Sequence, residues 1–176
     1  MANTDSPKGF RPLEEGPLFP VSVDASNASR IGQGDAVKME ADGGYGRAAA
    51  GDAALVKYIA WGFKDSDGNS ISYLPASTAG TITAIPVTPG RKFIIQSDSG
   101  TTVAATAVNA TADFVVADCS TTSGVSAMEL DASDIGTGTQ LRILGKLEEP
   151  NNSWGEAHVD LIVEFSENAT TSSTSV

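Results

Sequence analysis

Turn-forming residues punctuate this chain roughly every eight to twelve positions, and the apolar runs left between them have the length of strands rather than helices. Eighteen glycines and eight prolines supply much of that punctuation. Residues 56–63 (VKYIAWGF) are rich in β-branched and aromatic side chains. They stop at the turn signal Asp65-Ser66-Asp67-Gly68-Asn69 and resume over residues 70–74. Residues 81–88 (TITAIPVT) and 92–97 (KFIIQS) flank Pro89-Gly90, a type II turn signature that predicts a hairpin. Pro86 demotes the first of these strands to an edge or a bulge. Residues 35–39, 101–108 and 112–117 read as further short strands, and residues 140–147 as one whose inward face stays ambiguous. The clearest strand is 157–165 (AHVDLIVEF), with Val159, Leu161, Val163 and Phe165 on one face and His158, Asp160, Ile162 and Glu164 on the other. Only residues 126–130 and their flanks suit a short helical turn. The fold class is therefore all-β, a single barrel or sandwich domain over residues 21–167.

The two ends differ from this body. Pro7, Pro12, Pro17 and Pro20 exclude a helix from residues 1–20, which read as an extended arm. The arm carries Phe10, Leu13, Leu18 and Phe19, more apolar bulk than a solvated tail needs, so it is expected to lie on a surface of its own subunit or of a neighbour. Residues 168–176 (ATTSSTSV and the Asn before it) are low-complexity Ser/Thr and are expected to be disordered.

Composition narrows the function classes. Acidic residues outnumber basic ones 22 to 11, a net charge of −11, which argues against nucleic acid or an anionic membrane as the main partner. Residues 1–92 hold nine Lys/Arg to ten Asp/Glu, and residues 93–176 hold two to twelve. Such asymmetry suits either acidic loops that merely solvate the fold, or a first half that docks and a second half that faces water. Leu, Ile, Val and Phe make up only about 22% of the chain, close to the roughly 20% below which disorder is expected, so association with other subunits is a natural way to bury more apolar surface. No apolar run approaches a membrane span, and the first residues lack the apolar core of a secretory signal. The four Asn-x-Ser/Thr sites are accordingly expected to be chance matches.

Catalytic and metal chemistry find few parts. A single cysteine, Cys119, excludes an internal disulfide and a thiolate cage, and a single histidine, His158, excludes any site needing two imidazoles. The Asp65 loop resembles the start of a calcium loop, but its twelfth position is Ala76 rather than a carboxylate. His158 and Asp160 side by side on a strand read as surface pairing, with no G-x-S-x-G nucleophile nearby. The carboxylate pairs Glu14–Glu15, Glu148–Glu149 and Asp131/Asp134 come without aromatic platforms of the kind a glycosidase cleft uses. No enzyme, cofactor or metal site is expected. Trp61 is expected in the core, whereas Trp154, in a loop, either covers an end of the fold or marks a contact.

Three blocks of the chain carry a resemblance. Residues 1–13 (MANTDSPKGFRPL), 126–131 (SAMELD) and 140–165, with LRILG, EPNNSWG and the closing strand, are similar to the capsid decoration, or cement, proteins of tailed bacteriophages. Further along the arm, Glu14-Glu15-Gly16-Pro17 stands where that family often has aromatic and basic residues. The resemblance implies an all-β homotrimer on the outer surface of the virion head, bound to the major capsid protein, touching neither nucleic acid nor membrane. It implies capsid binding through the arm, with Lys8, Phe10, Arg11, Pro12, Leu13, Leu18 and Phe19 as contacts and Trp154 as a further one. Removal of residues 1–20 is then expected to abolish capsid binding and leave the β domain folded. The alternative is a carbohydrate- or receptor-binding β module of a fibre or adhesin, for which Trp154 would have to be an exposed platform.

Overall fold

The computed structural model describes residues 3–52 and 56–166 and is all-β in character, a sandwich of antiparallel sheets rather than a closed barrel. With strands numbered along the chain, one sheet has the order β1 (Arg11–Pro12), β8 (Lys92–Gln96), β13 (Asp160–Phe165), β12 (Leu141–Lys146), β9 (Thr111–Ala112). The other runs β2 (Phe19–Val23), β7 (Gly80–Pro86), β5 (Val56–Asp65), β3 (Ala36–Met39), β4 (Tyr45–Arg47), with β6 (Ser70–Ile71) paired to β5. A third, two-stranded piece joins β10 (Phe114–Val115) to β11 (Glu129–Leu130).

The main core lies between the two large sheets. Phe93, Ile95, Leu141, Ile143, Leu161, Val163 and Phe165 come from the first sheet and meet Ala36, Ile59 and Ile85 from the second. β13 alternates as its sequence requires, with Leu161, Val163 and Phe165 buried and Asp160, Ile162 and Glu164 turned outward. The second sheet is covered on its other face too. Val21, Val23, Val37, Ala60, Phe63, Ile82 and Ala84 pack with Ile31 and Leu74, whose backbones exchange hydrogen bonds of 2.9 Å. Burial on both faces explains why β5 is apolar in succession rather than alternating: Ile59 belongs to one core and its neighbour Ala60 to the other.

Several local expectations are corrected. Pro89-Gly90 does make a tight turn, with Gly90 at φ 78° and the Arg91 N–H donating to the Thr88 carbonyl at 3.0 Å. The strands it joins do not form a hairpin, because β7 lies between β2 and β5 while β8 lies between β1 and β13. β7 is thus central, and Pro86 is tolerated because it ends the strand, opposite Tyr58. The run 112–117 is split between sheets: Ala112 pairs with Leu141 and Phe114 with Leu130. Between them the Asp113 carboxylate accepts the N–H groups of Thr139 and Gln140. Residues 101–108 hold a 3₁₀ turn (Ala105–Ala107) in place of a strand. Residues 126–130 end in β11, and the short helical turn expected there or in the flanks falls just after it, at Ala132–Asp134, where the Asp131 carboxylate caps the Ser133 N–H. β13 starts only at Asp160, since His158 at φ 57° cannot continue a strand. The expectation for residues 168–176 falls outside the described residues.

Candidate functional site

The arm is where sequence and structure diverge most usefully. Its first part, residues 3–13, is built into the chain's own fold. The Asn3 amide donates to the carbonyls of Ser153 (3.2 Å) and Ala157 (3.0 Å), and its oxygen accepts the Ser153 N–H at 3.0 Å. The Gln96 side chain then accepts from the Ser6 N–H (2.8 Å) and donates to the Thr4 carbonyl (3.1 Å). β1 pairs with β8, and the Leu13 N–H extends that ladder to the Lys92 carbonyl at 3.1 Å.

Phe10 is the anchor, with 0% of its surface exposed. Its ring meets Phe114 edge-on at 5.6 Å between centroids, Phe93 edge-on at 6.3 Å and Phe165 at 4.9 Å. Gly9 makes this entry possible. At φ 61° it lets the chain turn inward, and a Cβ there would stand 2.5 Å from both the Gly34 carbonyl oxygen and Ser126 Oγ. The Phe10 N–H donates to that same Gly34 carbonyl at 2.8 Å. Beneath it Asp35 is fully buried, accepting the Gly32 N–H at 2.7 Å and the Ser126 hydroxyl. Burial outweighs those hydrogen bonds and pushes the Asp35 carboxyl up to about 6.

The expected contact residues therefore separate. Phe10 belongs to the core, and Arg11 is engaged with Asp160 at 2.9 Å, so neither is a free contact. Pro12 and Leu13 are half-buried along β8, while Lys8 is exposed. Leu18 and Phe19 are 48% and 45% exposed, large apolar side chains presented to the outside. A recess of about 290 Å³ opens beside them, lined by Pro12, Glu15, Gly16, Leu18, Trp61 and Ile85. Trp61 also borders a neighbouring recess of about 360 Å³ that reaches Pro7, Lys8 and Arg11. Trp61 is thus half-buried, packed against the edge of the main core while bordering both recesses, an outward side that the uninterrupted apolar run of β5 concealed. Trp154 is half-buried and packed against the main core, which leaves it no flat exposed platform.

The remaining candidates resolve simply. The Asp65 carboxylate is occupied by its own turn, accepting the N–H groups of Asp67 (3.0 Å) and Asn69 (2.8 Å). Hydrogen bonds from Asn69 hold it below the usual carboxylate range. Cys119 is buried and its thiol pushed up to about 11 by burial, the reverse of an activated nucleophile. Asp160 faces Arg11, whereas His158 faces Asp5 with Nδ1 3.8 Å from the carboxylate, so the two are not a pair. No helix among the described residues is long and apolar enough to cross a membrane. Compared with protein-family models, curated proteins and solved structures, the chain finds no significant match in any of the three.

Proposed function

We propose that this chain is a structural protein of the virion: it decorates the outside of a tailed-phage head as a trimer, binding between major capsid protein subunits. The observation that carries the reading is the exposed pair Leu18–Phe19, held beside the recess around Trp61 by an arm whose preceding residues are locked into the core. A partner surface that covers the pair buries apolar area without first having to order the segment that presents it. The resemblance of residues 1–13, 126–131 and 140–165 to decoration proteins gives the partner. The acidic second half of the chain fits an outer surface that repels other virions and has no use for DNA. Three copies joined in a trimer would multiply a modest contact by effective concentration and hold together shell subunits that internal pressure separates.

Two measurements test this. Light scattering after size exclusion reads the mass of the free protein, expected at three times 18.0 kDa and unchanged on dilution. Co-sedimentation with empty heads of the same phage reads binding for wild type and for the double variant Leu18→Ser/Phe19→Ser. With about 1 kcal/mol of burial lost at each half-exposed side chain, the variant is expected to bind roughly 30-fold more weakly per protomer. Undiminished binding by the variant overturns this contact surface, and failure of the wild type to bind overturns the reading as a whole.

A further inference from the structure

Three side chains from distant parts of the chain converge where the start of the arm crosses the fold. Asp5, Glu129 and His158 each bring a ligand atom to within 4.8 Å of the others. Each is delivered by something definite. Asp5 lies between Thr4 and Ser6, which are both fastened to the Gln96 side chain. Glu129 sits in β11 opposite Val115, and the next residue, Leu130, bridges to Ser97 at the end of β8. His158 occupies the left-handed region at φ 57°, a conformation that non-glycine residues adopt at a cost, just before Val159, whose N–H is held by Ser97 Oγ at 2.9 Å.

Hydrogen-bond accounting singles out this place. Among the described residues, four buried side-chain polar atoms lack a hydrogen-bond partner, and two of them are His158 Nδ1 and Glu129 Oε1. Buried polar atoms are nearly always satisfied, so two orphans in one cluster call for a third party between them. No neighbouring side chain fills that role, because Asp5 is 3.8 Å from Nδ1, beyond hydrogen-bond reach. The cluster brings two carboxylates, Asp5 and Glu129, to one imidazole, and Asp98 lies within electrostatic reach of Glu129. Of the nearby cations that border the adjoining cavity, Arg11 is already paired with Asp160, and Lys8 is exposed.

We propose that Asp5, Glu129 and His158 form a binding site for one divalent transition-metal cation, zinc by its ligand chemistry, which clips the arm to β11 and to the turn before β13. An imidazole nitrogen with two carboxylate oxygens is a zinc donor set, whereas calcium and magnesium take oxygen ligands only and more of them. Zinc bonds of about 2.0–2.1 Å in a tetrahedron place neighbouring ligand atoms about 3.3 Å apart. The ligand atoms, now within 4.8 Å of one another, reach that distance by rotation of the exposed Asp5 side chain together with adjustment of Glu129 and His158. Two carboxylates balance the charge of the ion, and water completes the fourth position. The site stands independently of the capsid reading, since it joins parts of one chain.

The sole histidine makes the test direct, because every imidazole NMR signal belongs to His158. Full-length protein freed of metal with EDTA is titrated with zinc chloride and followed by calorimetry, imidazole signals and thermal unfolding. One equivalent is expected to saturate, the His158 signals to shift, and Tm to rise by roughly 5–10 °C at a hundredfold excess over Kd. Glu129→Gln and His158→Asn, the latter chosen because Asn tolerates positive φ, are each compared with their own metal-free Tm, and both should lose the zinc response. Magnesium chloride should produce none. Absence of a shift in wild type up to about 1 mM zinc, where a site of micromolar Kd would be saturated, overturns the proposal. So does an undiminished response in Glu129→Gln, or an equal response to magnesium.

Discussion

Residues 3–13 and residues 14–20 belong to one proline-rich arm with similar composition, yet they have opposite fates. The first part enters the core through Phe10 and is tied by backbone hydrogen bonds to β8 and by side-chain amides at Asn3 and Gln96. The second part crosses the turn at Thr88–Lys92 on the surface and presents Leu18 and Phe19 outward. Apolar side chains in an extended segment thus serve two purposes within ten residues. One group holds the fold, and the other is left for a partner. A deletion of residues 1–20 does not separate these roles, since it removes Phe10 from between Phe93, Phe114 and Phe165 as well as the exposed pair.

The largest effect should come from breaking the anchored part. Phe10→Ala leaves a ring-sized cavity in the aromatic cluster and is expected to cost about 3–5 kcal/mol in urea unfolding. A loss below about 1 kcal/mol would mean that the arm is dispensable to the core after all.

A pH titration sharpens the comparison at Asp35, the buried carboxyl beneath Gly9 and Phe10. Its value rises from the ordinary 3.8 to about 6 on folding, so its contribution is fully present below about pH 4 and is lost as pH climbs through 6. The loss across that window is about 3 kcal/mol at most. Asp118 and Asp65, held low by Arg47 and Asn69 respectively, act in the opposite sense and only toward acid pH, so the two windows separate. The stability difference between wild type and Asp35→Asn is expected to shift against wild type from pH 4 to pH 7. A difference that stays constant with pH would show that Asp35 remains ionised throughout.

The smallest effect on stability should come from the exposed part. Leu18→Ser and Phe19→Ser are each expected to change unfolding free energy by less than about 0.5 kcal/mol, as at surface sites generally. Substitutions there that unfold the protein would place the pair in its core and remove the distinction.

Legibility followed the same division. β13 was plain because one of its faces is buried and the other is not, so Val159, Leu161, Val163 and Phe165 alternate with polar or half-exposed neighbours. β5 is plain as a strand, but the faces of its residues are not, because both sides of that sheet are covered and the period-two signal disappears; the outward side of Trp61, which packs against the core at its edge, is invisible for that reason. The hairpin at Pro89-Gly90 was misread because a turn signature fixes a reversal of direction and says nothing about which sheet receives the next strand. The cluster of Asp5, Glu129 and His158 left no trace in sequence, since its members stand 124 and 29 residues apart and no spacing links them.

What the chain's own residues determined is the class of fold: short runs of β-branched and aromatic residues, broken by Gly, Pro and Asp/Asn turns, admit strands and little else. They determined too that residues 1–20 are extended, because proline fixes φ and withholds the N–H that a helix needs. Only the tertiary structure decided which side of that extended segment is inside. Burial of Phe10 depends on a pocket made by three phenylalanines that are 83, 104 and 155 residues further along the chain. Leu18 and Phe19 find no such pocket and stay outside. Local propensity reads the backbone, whereas burial is settled by non-local packing, and that difference divides this arm in two.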